Sequence, residues 1–292
     1  MIDLRTHLIS LVAVFLALGI GILIGIDLIG GRAVINQERS MITHLETDFR
    51  NLQTAEASLH ATVIQDQSQL AIASRFAAGA VPYMVAAKLT AITVAVVTTS
   101  PHLTTAPVTT VLRQAGATLG PSVVLMAEPP ANSAIWAEAG AILNTPATAQ
   151  AVYPALAKLV AQSFVSGTWS PTLTQLEGLG IFKLSGSLGS TIGGVVLVAG
   201  SPTASDPLAG AFGVPLVRAL RAARVPTVAG QLSTVPSQFT TIPLFQGLGV
   251  MTVDDLDLPP GQVSVVWGLN GTVGNYGLES TAQALMPLTQ NP

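Results

Sequence analysis

The chain has 292 residues, 9% of them charged, no cysteine, a formal net charge of −3 and a mean hydropathy of +0.58. That composition excludes disulfides, zinc ribbons, iron–sulfur clusters and thiolate copper sites, and it gives no electrostatic footprint for nucleic acid. Lysine occurs only as Lys88, Lys158 and Lys183, which leaves no basic patch for anionic lipid.

Residues 8–26 carry no charge. As a helix they would span about 28 Å, close to the ~30 Å hydrocarbon core of a bilayer. The run exceeds the apolar core of a cleaved signal peptide, and Ala17-Leu18-Gly19 is a poor cleavage site. Residues 1–31 are therefore expected to form an uncleaved transmembrane signal anchor. Arg5 on one side and Arg32 and Arg39 on the other give little charge bias. The short N-terminal tail and large C-terminal part suggest a cell-membrane protein with the N-terminus cytoplasmic and the bulk outside. Ala13, Ala17, Gly21 and Gly25 recur every four residues and would let two membrane helices pack closely.

Residues 32–78 read as a coiled-coil stalk. Ile35, Ile42, Phe49, Val63 and Leu70 fall at a positions, and Leu45, Leu52 and Leu59 at d positions. Glu56 at a would fix register, and Asp66 at d weakens the distal end. The e and g positions are mostly neutral, so they select no charged heteropartner and point to a homodimer. The alternative is an amphipathic helix folded back on its own head. Gly79 and Pro82 are expected to end the helix. A rod of ~40 residues would reach roughly 60 Å.

Residues 79–292 read as an α/β head with a mostly parallel, Rossmann-like sheet. Strands are expected at 92–98, 122–126, 194–199, 225–230 and 262–267. Helices are expected at 106–115, 133–143, 147–167, 209–224 and 278–286, with a Ser/Gly-rich connector over 167–193.

The opening Met1-Ile-Asp-Leu-Arg5-Thr-His7, together with the apolar run to Gly21, resembles the start of the MctB-type copper transporter family, which includes SteB-like cytokinesis factors. Further along, Leu112-Arg-Gln-Ala-Gly-Ala117 fits the family. So do Asp254, Asp255 and Asp257 with Gly261, and Tyr276-Gly277 followed by Leu285-Met-Pro287. The chain has Asn275 where family members usually carry His. The resemblance covers essentially the whole chain. It implies a single-pass envelope protein with a role in copper homeostasis or transport, or a scaffold role with an envelope partner in cell-envelope assembly or division.

The copper chemistry is sparse. His44 and His60 are sixteen residues apart, His7 lies at the membrane interface, and the methionines form no M-x-x-M run. His102, in a loop, is the one candidate metal ligand, and copper as a bound ion is implied by the resemblance alone. One membrane helix encloses no pore, so transport would need an oligomer or a partner. No nucleotide fingerprint or P-loop is present. A phosphate could sit where 200–206 lead into a helix. The glycine-rich stretch 268–277 reads as a tight strand-to-helix turn. A Ser201, His102, Asp254 triad can be written down without the G-x-S-x-G elbow that would support it. Asp254, Asp255 and Asp257 read as caps and solvated turns rather than a cation site. No enzyme activity is expected.

Overall fold

The computed structural model describes residues 4–28, 31–126 and 133–287. It divides into two units, 1–72 and 73–292.

In the first unit, α1 (Leu4–Leu28) contains the stretch Thr6–Gly25, long and apolar enough to cross a membrane. Helix α2 (Gly31–Val85) follows as 55 residues without a break, its residues from Ala73 on belonging to the second unit. It does not stop at Gly79 or Pro82, as the sequence suggested. Pro82 lies so near the C-terminal end that the ladder loses little. Val81 and Val85, buried in the head core, hold the last turns helical. The chain leaves the helix only where Ala87 takes a left-handed φ of 57°.

In the second unit the elements alternate. They are β1 (Thr93–Thr98), α3 (Ala106–Gln114), β2 (Thr118–Leu125), α4 (Ser133–Leu143), α5 (Ala149–Ser166), α6 (Pro171–Glu177) and β3 (Phe182–Ser185), then β4 (Gly194–Val198), a π-turn (Ala209–Gly213), α7 (Val214–Ala222) and β5 (Thr227–Gly230), then α8 (Ile242–Phe245), β6 (Met251–Val253), α9 (Pro259–Leu269) and β7 (Gly274–Tyr276). The π-turn sits where Pro215 cannot donate back to the preceding turn.

The sheet order is β3-β2-β1-β4-β5-β6-β7, parallel throughout except for β3, which runs antiparallel to β2. Strand alternation feeds two cores. Ala95, Val97, Val195 and Leu197 face the layer containing α5 and α7, whereas Val94, Val96, Val196 and Val198 face α3, α9 and the end of α2. Both faces are covered, which is why β4 is apolar along its whole length.

Three sequence expectations fail here. Residues 262–267 form part of helix α9, not a strand, so 268–277 link a helix to β7. The 278–286 segment is not a helix, because its backbone groups are paired with partners outside it. Gly277 N–H donates to the Ala284 carbonyl, Gln283 N–H to the Asn275 carbonyl, and Leu278 and Glu279 N–H to Asp254. The 167–193 connector holds α6 and β3.

Candidate functional site

The strand order reverses between β1 and β4. The chain leaves β1 toward β2 and leaves β4 toward β5, so the loops at their carboxyl ends part and a crevice opens. A cleft of about 830 Å³ lies there, lined by residues 99–103, Met126 and residues 200–207. None of its described lining residues is Lys or Arg. His102, the single histidine of the head, is exposed on the β1 loop, and its side chain has no hydrogen bond among the described contacts.

Asp206 organises the floor. One carboxylate oxygen accepts from Thr99 Oγ1 and from Gly200 N–H at 2.8 Å. The other accepts from Leu208 N–H at 3.0 Å and Ala209 N–H at 3.2 Å. The expectation of a phosphate at this helix start is corrected, because Asp206 itself fills the anion position and satisfies the first free N–H groups. The signal was in the sequence, since an Asp just ahead of a helix is a capping residue.

The aspartates after β6 differ in exposure, Asp257 being only half-buried. Asp254 is buried, and its carboxylate accepts from Leu278 N–H at 2.6 Å and Glu279 N–H at 2.9 Å. Asp257 accepts from the Ser233 N–H and hydroxyl. Asp255 is fully buried, and neither of its oxygens has a hydrogen-bond partner. Burial, then the charges of Asp254 and Asp257, push its carboxyl up to about 7.

Gly261 and Gly277 explain how these groups fit. A Cβ on Gly277, whose φ is +137°, would overlap the Asp254 carboxylate, and a Cβ on Gly261 would overlap the Asp255 main chain. Tyr276 accepts from Asp254 N–H through its carbonyl at 3.3 Å. The five motif residues Asp254, Asp255, Gly261, Tyr276 and Gly277 thus meet at the carboxyl ends of β6 and β7. Buried Gln231 extends the cluster, donating to Glu279 at 3.0 Å and accepting from Thr241 N–H at 2.9 Å. Sequence reading missed Gln231, and no local pattern marks it.

The proposed triad does not assemble. Ser201 and His102 line one cleft, while the Asp254 carboxylate is spent on residues 278 and 279. Among the described residues no group of three or more His, Asp or Glu side chains could hold a metal ion.

In the first unit, Ala13, Ala17 and Gly21 are exposed on α1, with Gly25 half-buried. Ile42, Leu45, Phe49, Leu52, Leu59, Val63 and Leu70 are exposed on α2, Leu52 at 69%. Ile35 lies on the same helix, outside the residues whose surroundings are described.

A family model described as "Copper transport outer membrane protein, MctB" matches residues 1–287. The chain belongs to the MctB family. No curated protein matches it. The family name places copper transport and a membrane beside what the fold supplies, namely one candidate span and an α/β head whose motif residues are internal supports.

Proposed function

We propose that this MctB-family chain is a single-pass, coiled-coil homodimer that serves copper handling at the cell envelope as an accessory or scaffold protein rather than as a pore. The head then lies outside the cytoplasm, is Rossmann-like in organisation and is not an enzyme. The observation that carries the reading is the seam on α2. Leu45, Leu52, Leu59 and Val63 all stand in solvent along a 55-residue helix directly behind a candidate span. Such a stripe on an isolated helix is costly to leave in water and is the pattern that a second copy covers. The small residues at 13, 17, 21 and 25 would serve the same pair inside the bilayer.

A second reading has an observation of its own. A scaffold for envelope assembly or division, binding no metal, is favoured by the absence of any three-ligand His/Asp/Glu group among the described residues.

The chain lacks cysteine, so a single introduced thiol reports only on contact between two copies. Leu59→Cys in the full chain in membranes should cross-link under mild oxidation, and Ala61→Cys, on the outer face of the heptad, should not. Equal cross-linking at both positions, or none at Leu59→Cys, rejects the parallel coil.

A further inference from the structure

We propose that the crevice between β1 and β4 is a Cu(I) site whose two protein ligands are the His102 imidazole and the Met126 thioether. The proposal rests on the copper reading above and gives it a location.

Thr98 of β1 pairs with Val124 of β2 in parallel register. β2 ends at Leu125, which puts Met126 directly past it, and β1 ends at Thr98, which puts Ser100 in the loop beyond the pairing. His102 follows two residues later, and both it and Met126 line the same cleft. They come from separate segments of sequence, which is why no motif announces them. Imidazole and thioether are ligands that copper accepts, and the thioether favours the reduced ion. The His102 side chain is also unengaged, so binding would break no existing bond of that ring.

The charge around the cleft points the same way. A crevice at this position in an open parallel sheet often takes phosphate at the helix start, with backbone N–H groups as donors. Here those donors are taken by Asp206, and no cationic side chain is among the described residues that line the cleft. An anionic ligand would meet a fixed carboxylate with nothing to balance it, whereas a monovalent cation meets a counter-charge already in place. Asp206 is fully occupied by its four donors, so it supplies field rather than a metal bond. Two ligands on an open cleft bind reversibly, which suits an ion that has to be handed on.

The test is a Cu(I) titration of the full chain in detergent, under anaerobic reducing conditions against bicinchoninate, together with copper X-ray absorption. The wild-type chain should take one Cu(I) per head, with sulfur in the coordination shell. His102→Ala and Met126→Leu should each weaken binding at least about tenfold, a loss of ~1.4 kcal/mol. Met126→Leu should also remove the sulfur scattering, a signal that a purely structural role would leave intact. The stalk variants His44→Ala and His60→Ala should change neither readout. Circular dichroism of each variant controls for folding. Copper binding that survives both head variants overturns this site and leaves the copper reading standing, and no binding by the wild-type chain overturns the site outright. The cross-linking at Leu59→Cys decides the dimer independently.

Discussion

Asp255 is a carboxyl group with no partner in an apolar, like-charged corner, and its consequence is a pH slope. Its ordinary value is 3.8, and the folded chain holds it at about 7. Below the lower value both folded and unfolded chains keep the proton, and the group costs nothing. Between the two values only the unfolded chain releases it, so the folded state binds more protons and stability falls as pH rises. Above about 7 the loss levels off, at an order of magnitude of about 4 kcal/mol. Urea titrations from pH 4 to 8 should show the decline, and Asp255→Asn should flatten it. A slope unchanged in the variant would place the titration elsewhere. Tyr153 is the neutral counterpart. Its hydroxyl is buried without a partner, burial pushes its pKa up to about 12, and the ring stands edge-on to Trp136 at 5.6 Å. Removing that hydroxyl in Tyr153→Phe should leave stability unchanged or raise it by about 1 kcal/mol, read as an increased melting temperature. Gly277→Ala should go the other way, losing more than ~2 kcal/mol as the new methyl group displaces the Asp254 carboxylate. At this scale the sequence was readable for residue type and unreadable for surroundings. Asp254 and Asp255 stood out as motif residues, yet nothing in the string distinguishes a buried aspartate from a solvated one.

Among the elements, periodicity served where a helix has one wet face and failed where it has none. Helices α3 and α7 are amphipathic and lie where the pattern put them. Helix α9 is apolar on all sides, because it packs between α3 and the sheet. Its Val263-Ser-Val-Val-Trp267 run is rich in residues favoured in strands, and Pro259 and Pro260, which suit a first helical turn, were the better clue. Strands β3, β6 and β7 are too short to carry an alternating signal. Helix α9 approaches the sheet closely at Gly268, where a Cβ would fall 2.6 Å from Val228 and 2.7 Å from Met251. Gly268→Ala should therefore lift the helix off β5 and β6 and cost about 1–3 kcal/mol in a denaturant titration. A neutral result would mean that the layer is looser than its contacts imply.

For the whole molecule, the apolar N-terminal helix, the long helix and the α/β head were all legible in chain order, because each has its own composition and period. The cleft was not, since it is made by strand order, and strand order is absent from a one-dimensional pattern. One feature of the sheet also bears on how copies of this chain can meet. Its outer strands are both poor templates for another β-strand. Edge β3 is four residues long, runs against its neighbour and carries an exposed Lys183. Edge β7 is three residues long, and the tail returns over it through a bridge from Ala284 to Tyr276. Short, charged or covered edges prevent sheets from joining side by side. The sheet of the head is thereby ill suited to fibre-like self-pairing, because a strand arriving at either end finds few free backbone partners.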